Sequence, residues 1–423
     1  MIHIIKKLRE YLRIIEFYIE IYIRKNKNKS IIKNITPKKQ INVVFLVLYD
    51  SIWKCDDLFH KMCKDSRFNP MILICPIINY GKENMIFQME KSYNSFLKKG
   101  YSPILSYNKE KDTYLDLEID LQPDIVFYTN PYDGLIDDRY NIKNIKSTLT
   151  CYIPYFYNTS QLKMFYDLPF HRMLWCYFIE TDFHLNLYKK SSKFWNYSNC
   201  EVVGYSVFDD FKTYETQQIK PFKRRKRVIW APHHTINDDD MLKQSSFLLL
   251  YNVVIDLCKK YSNQIEFIFR PHPLLKLKLY KRKDWGKLRT DEYYNLWNEI
   301  ENGKLSDGGD YIPEFYQSDA IIHDCGSFLC EYLYTEKPAI YFSMHEEEYL
   351  PTLNDIAKEA YHSHYIVYDL KQLINQFEET IINDIDPFIE KRQKFKNTYL
   401  KISENYTSDI IINKLREYLF INE

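Results

Sequence analysis

From Ile41 onward, short apolar runs alternate with helix-like segments, and the alternation occurs twice. "INVVFLVLYD" (41–50), "PMILICPI" (70–77), "PDIVFYTNP" (123–131) and "STLTCYIPY" (147–155) read as buried-type strands. A helix is expected to start near Asp56–Asp57, and "SYNSFLKKGY" reads as a helix ending at Gly100. "NCEVVGYSVFDDF" (199–211) adds a short strand and a turn at Gly204. The second series has strands at "VIWAP" (228–232), "IEFIFRPHP" (265–273), "DAIIHD" (319–324) and "KPAIYFS" (337–343), with a helix over roughly Met241 to Tyr261. Strands separated by helices predict parallel, doubly wound sheets, hence an α/β protein.

The polar, basic stretch "KPFKRRKR" (220–227) separates the two series. We therefore expect a basic arm over 1–40, one Rossmann-like domain over 41–219, a second over 220–384 and a charged helical tail over 385–423. Two similar halves on a short linker predict a cleft between them. A chain of 423 residues has ample length for two cores.

Composition excludes several classes. Nine Cys are scattered with no CxxC pair, which argues for reduced thiols and against a structural zinc site. Nine glycines leave little room for glycine-rich phosphate loops, and neither GxGxxG nor a Walker A motif is present. HExxH and GxSxG are also absent. No uncharged apolar run approaches the length of a membrane span. The basic stretch 276–289 carries seven Lys/Arg. A solvated face or a membrane-facing loop accounts for it as well as nucleic acid does, and no nucleic-acid partner is expected.

The arm "MIHIIKKLREYLRIIEFYIEIYIRKNKNKS" has helical periodicity. Ile4, Leu8, Leu12, Ile15, Ile19 and Ile23 form one stripe; Lys6, Glu10, Arg13, Glu20 and Arg24 fall opposite. Residues 1–40 hold eleven Lys/Arg against three Glu, a net charge of +8. Two readings stand: an amphipathic helix on an anionic membrane surface, or a helix packed on the protein body. Interrupting charges and the lack of a small-residue cleavage site rule out a signal peptide.

In open α/β sheets, ligands bind beyond the C-terminal ends of the strands. Three strand ends of the second series carry unusual polar residues. "APHHT" offers His233 and His234, "FRPHP" offers Arg270 and His272, and "HDCGS" offers Asp324, Gly326 and Ser327 with Glu331 behind them. Together they suit an anion. Arg270 can grip phosphate in two-pronged fashion. The histidines can donate to phosphate oxygens or move protons. Ser327 and the amides after Gly326 would open a helix whose N-terminus favours phosphate. Glu331 would accept from ribose hydroxyls. The competing account makes Asp324 and Ser327 turn and cap residues and Glu331 the partner of Lys337. Cationic and amide donors can neutralise developing charge, so no metal or cofactor is required, although a divalent cation is compatible.

"RPHP" followed by "SDAIIHDCGSFLCEYLYTEKP" resembles the CDP-glycerol glycerophosphotransferase family, which includes teichoic acid primases and polymerases. The match is specific over 228–342 and looser over 41–212. The resemblance implies a GT-B architecture, two Rossmann-like domains with the nucleotide held by the second. It also implies transfer of a polyol phosphate from a CDP-linked donor to a hydroxyl, with release of CMP, in cell-surface polysaccharide assembly. Members of that family carry a Trp-His-Gly motif in the first domain. The corresponding stretch here, "CYIPYFYNTS" (151–160), has no His, and "PHHT" stands where the family has Pro-Thr-Trp-Arg. His171, His184 and His323 are outside candidates for the missing base.

The reading that follows is a glycerophosphotransferase-like enzyme on the cytoplasmic face of the membrane, with a lipid-linked or polysaccharide acceptor. Arg270, His272 and Ser327 would hold the diphosphate, and Glu331 the ribose. His233 or His234 would assist the phosphates or take the proton. The alternatives are a glycosyltransferase using a nucleotide sugar, a sugar-nucleotide epimerase, and an inactive membrane-associated scaffold.

Overall fold

Residues of β1 (Ile41–Val47) feed two different cores in alternation. Val43, Phe45 and Val47 pack with the helices on one side, Val44 and Leu46 with those on the other. A strand buried on both faces needs helices on both faces, and that requirement produces the layered architecture. The computed structural model describes residues 2–79, 81–192, 195–216, 225–237, 240, 243–307, 310–400 and 403–420, with side chains of the first helix from residue 14.

The described residues form two units. The first contains β1, β2 (Phe68–Ile74), β3 (Ile104–Leu105), β4 (Ile125–Tyr128), β5 (Leu149–Tyr152), β6 (Cys176–Ile179) and β7 (Cys200–Val202). These are hydrogen-bonded in the order β3-β2-β1-β4-β5-β6-β7, all parallel. Phe127 lies between Phe45 and Phe178, with ring centroids 4.8 and 6.1 Å away, so three adjacent strands share one aromatic layer. The C-terminal helix Thr407–Leu419 belongs to this unit and buries Ile411, Ile412, Leu415 and Leu419 in the same core as Val43 and Phe45. Its ends are pinned by Asp409 to Lys61 (2.7 Å) and Arg416 to Asp65 (2.7 Å).

The second unit takes residues 157–162 and 207–404. Its strands are β8 (Lys226–Ala231), β9 (Ile265–Phe269), β10 (Gly303–Leu305), β11 (Ala320–His323), β12 (Ala339–Phe342) and β13 (Tyr365–Val367). The order is β10-β9-β8-β11-β12-β13, again all parallel. Both sheets thus run outward from their first strand and then reverse, which is the Rossmann arrangement. In the second sheet the reversal falls between β8 and β11.

The predicted strands are present with shifted bounds. The short strands β3, β6, β10 and β13 escape the sequence reading; β3, β10 and β13 are only two or three residues long. The helix expected from about Met241 begins at Phe247; residues 241 and 242 lie outside the described set. It starts late because the Ser246 amide and hydroxyl are both held by Asp324, which draws that residue out of the helical turn. Residues 220–224 of the expected linker also lie outside the described residues.

α1 (Ile2–Ile35) bears on the choice between the two readings. The described part of its apolar stripe does not face the body. Ile15, Ile19 and Ile23 are 54%, 54% and 59% exposed, and Tyr22 is 68% exposed. The helix packs through the other side, where Ile35 is buried and Arg24 donates to the carbonyls of Ile142 (2.8 Å) and Ile145 (3.2 Å). Among the described residues no helix is long and apolar enough to cross a membrane.

Candidate functional site

The reversal point of the second sheet gathers the polar strand ends. Beyond β8 the chain continues into His233 and His234; beyond β9 it continues into Arg270 and His272. The two run side by side, because the Arg270 amide donates to Trp230 O (2.8 Å) and the His272 amide to Pro232 O (3.0 Å). The three imidazoles therefore meet. Ring centroids are 4.3 Å apart for His233 and His234, 4.2 Å for His234 and His272, and 5.1 Å for His233 and His272.

Burial keeps all three rings uncharged. It lowers His233 and His272 well below the ordinary histidine range and His234 to about 4, and the neighbouring Lys278 ammonium adds to the effect. The tautomer of His272 is set by its place in the chain. It is the N-cap of the helix Pro273–Lys281, and its Nδ1 accepts from the Leu274 amide (3.1 Å). A neutral ring that accepts at Nδ1 carries its proton at Nε2. His272 thus presents an N–H donor.

That tautomer bears on metals as well. Ligand nitrogens of His233, His234 and His272 lie within 4.8 Å of one another, the spacing of a three-histidine metal site. A ligand needs a lone pair toward the ion, and the lone pair of His272 is occupied by Leu274 N–H. The donor set suits an anion better than a cation.

Asp324 follows β11 and is fully buried. Its carboxylate accepts from the His233 amide (2.6 Å), the Ser246 amide (2.5 Å) and the Ser246 hydroxyl (2.6 Å). It was expected to touch substrate. Instead it ties the β11 turn to the β8 turn and so fixes His233. Burial outweighs these hydrogen bonds and pushes the Asp324 carboxyl up to about 6. A carboxyl raised above its ordinary value binds a proton more readily folded than unfolded, so its stabilising contribution falls as pH rises from about 4 to about 6. The ionised form is nevertheless the one that accepts from three donors. We expect the melting temperature of the parent, relative to that of Asp324→Asn, to fall as pH rises from about 4 to about 6. A difference that stays flat over this range would show that titration of the carboxyl is not felt by the fold.

Gly326 and Ser327 are part-exposed at the turn. A Cβ at Gly326 would meet the Tyr349 hydroxyl at 3.0 Å, with Thr159 Oγ1 and Gln244 Nε2 at 3.9 and 4.0 Å. The glycine is needed for close approach, and the group it admits within this unit is the Tyr349 phenol. That phenol is buried with its ring stacked on Tyr341 (centroids 6.0 Å apart), and its hydroxyl lies beside the turn. The helix expected after Ser327 is a single turn, Phe328–Glu331, followed by a 3-10 turn, Tyr332–Thr335. So short a helix has little dipole, so any hold on phosphate at this turn rests on its own N–H and hydroxyl groups.

Arg270 and Glu331 lie deeper than expected. Arg270 is 6% exposed, and its Nη1 donates to Glu314 (2.7 Å) and Ser306 (2.7 Å). Glu331 is 1% exposed and accepts from the Tyr311 hydroxyl, whose ring lies 5.6 Å from the Arg270 guanidinium. Lys337, the partner in the competing account, donates to the carbonyls of Phe315 and Tyr316. This network braces the strand ends from below. We expect Glu331→Gln to weaken binding of a ribonucleotide donor and of its 2′,3′-dideoxy analogue alike. A loss confined to the ribonucleotide, by calorimetric titration of both, would restore the ribose-binding role.

His171, His184 and His323 are each at most 1% exposed. Nδ1 of His171 accepts from the Leu168 amide, and burial lowers the ring to about 3. His184 pairs with Thr181 (2.7 Å), and His323 is sandwiched against Cys325 and His364. None is placed to act as a base. The stretch without a histidine, 157–160, joins the second unit, where Thr159 O accepts from the Asn354 amide (2.9 Å) and Asn158 O from the Asn354 side chain (2.7 Å). Thr159, Gln244 and Tyr349 were not singled out from sequence. Nothing local marks them, because each reaches the turn from a distant segment.

Two parallel sheets of Rossmann strand order define the class: an α/β protein of GT-B type, with an additional N-terminal helix. Within that class the chain is similar in structure to the wall teichoic acid polymerase TagF, with a TM-score of 0.54 and 13% identity, covering 98% of this chain and 99% of that one. It is equally similar to a putative UDP-N-acetylglucosamine 2-epimerase from Listeria monocytogenes (TM-score 0.56, 13% identity, 90% and 97% covered). An S. aureus MnaA–UDP complex gives a TM-score of 0.55 at 12% identity, with 91% and 99% covered. At these identities the likeness is one of fold. No family model and no curated protein matches the sequence.

Proposed function

We propose that this chain is a transferase that moves a polyol phosphate from a CDP-linked donor to a hydroxyl acceptor, releasing CMP, in assembly of a cell-surface polysaccharide such as a teichoic acid or capsule. The observation that carries the reading is the trio of neutral imidazoles at the reversal point of the second sheet, with His272 held as an Nε2–H donor. The shared fold with TagF, which extends over nearly the whole of both chains, supports it. So does a structure of TagF soaked with CDPG.

In the proposed step, the acceptor hydroxyl oxygen forms a bond to the phosphorus next to the polyol. The bridging P–O bond breaks, and CMP leaves with the electron pair. The hydroxyl proton passes to His233 or His234. His272 and the turn at Gly326 and Ser327 donate to the phosphate oxygens, and Tyr349 adds its hydroxyl. Charge on those oxygens is matched by fixed donors within the protein, so no ion is called for. Asp324, Arg270 and Glu331 act as positioning residues. The apolar and basic α1 would hold the protein at the inner face of the membrane, near a lipid-linked acceptor.

Free nucleotide release from CDP-polyol, UDP-sugar and CMP-sugar donors tests the reading. CMP from a CDP-polyol supports it. UDP from a UDP-sugar assigns a glycosyltransferase. An isomerised UDP-sugar without free nucleotide assigns an epimerase, the second reading that the fold neighbours favour. No turnover, with vesicle binding retained, leaves a scaffold.

A further inference from the structure

The first unit contains a cavity of about 530 Å³ between α1 and the segments around Arg172–Cys176 and Trp195–Glu201. Its lining joins two chemistries. Arg24, Lys25 and Lys29 bring cations, and Trp175 and Trp195 bring indole faces. Arg172, also in the lining, is paired with Asp167 (2.7 Å), and the one lining carboxylate, Glu201, accepts from the Tyr418 hydroxyl and lies 3.7 Å from Lys414, so the cations of α1 leave the lining basic toward a guest. Tyr18, also in the lining, keeps a buried hydroxyl without a hydrogen-bond partner. Such a lining suits a ligand with an anionic head and an apolar continuation.

The direction of that continuation follows from helix geometry. At about 100° per residue, Ile15, Ile19, Tyr22 and Ile23 point outward, while Arg24, Asn28 and Ile32 point toward the body. Tyr18, Lys25 and Lys29 fall on the flank between the two. The mouth of the cavity on this flank is therefore basic and adjoins the exposed apolar stripe. A membrane surface presents the same sequence of chemistries, with acyl chains beside phosphates.

We propose that this cavity takes the phosphate head of an anionic lipid while the outward face of α1 lies in the bilayer interface. The proposal is independent of the donor reading and holds whichever reaction the second unit performs. Arg24 and the lysines provide the charge, the indoles cover the glycerol and upper chain, and the stripe continues the contact into the acyl region.

The test uses the full chain and dihexanoyl phosphatidylglycerol kept below its micelle threshold, read by tryptophan fluorescence. We expect saturable binding at one site, a signal that is lost in Trp195→Phe, and no response to dihexanoyl phosphatidylcholine or to inorganic phosphate at equal concentration. The double variant Lys25→Glu, Lys29→Glu should raise the Kd for the monomeric lipid by about tenfold or more. The double variant Ile19→Asp, Ile23→Asp should keep monomer binding and lose co-sedimentation with phosphatidylglycerol vesicles. Circular dichroism checks folding of each variant. Failure of the monomeric lipid to saturate, equal binding of inorganic phosphate, or charge reversal without effect would overturn the site. Loss of monomer binding in the stripe variant would overturn the division of labour between cavity and stripe.

Discussion

His272→Asn is expected to fold as the parent does and to turn over about 100- to 1000-fold more slowly, the usual loss when a fixed donor to developing charge is removed. Asn is a favourable N-cap, so its side-chain oxygen replaces Nδ1 as acceptor for Leu274 N–H. What it does not replace is the Nε2–H. The substitution therefore separates the two jobs of the residue. His272→Ala removes both, and should cost about 1 kcal/mol of stability in addition. Steady-state kinetics on the assigned donor, with thermal melts alongside, check both variants. Near-parental turnover in His272→Asn would remove the ring from the reaction and leave His272 a capping residue.

Asp324→Ala should have the largest effect on stability. It leaves the His233 amide, the Ser246 amide and the Ser246 hydroxyl buried without their acceptor. Each orphaned donor costs about 1–3 kcal/mol. Relief of the buried charge, whose strain is visible in the carboxyl's rise to about 6, offsets part of this. A net loss of about 3 kcal/mol corresponds to about 6–12 °C for a unit of this size. Asp324→Asn keeps the shape but turns an NH2 group toward at least one N–H, so it should fall between parent and Ala. Scanning calorimetry separates the three proteins. Melting of Asp324→Ala within a degree of the parent would mean that the β8 and β11 turns hold each other by other means.

The strand ends were readable because polar residues at the close of an apolar run stand out locally. His233, His234, Arg270, His272 and Asp324 were all marked in this way. Their separate roles were not readable. Arg270 and Asp324 look like ligand groups in sequence, yet one is paired with Glu314 and the other with Ser246. A charged side chain in a chain of letters carries no sign of whether a partner neutralises it. Glu331 shows the same limit, because Tyr311 reaches it from 20 residues away.

Apolar runs interrupted by helical segments determined, by themselves, two parallel sheets with polar strand ends, since periodicity reports burial residue by residue along the chain. The tertiary structure alone decided which strands are neighbours. β8 pairs directly with β11, and beyond the strand ends the His233 amide donates to Asp324 across 91 residues, a contact that makes one site of separate motifs. It also decided which face of α1 meets the body. The stripe with the clearer apolar period stays outside, while the mixed face carrying Arg24 finds backbone carbonyls and a core to join. Helical periodicity shows that an apolar face exists; what covers it depends on the shape and unpaired groups of surfaces far away in sequence.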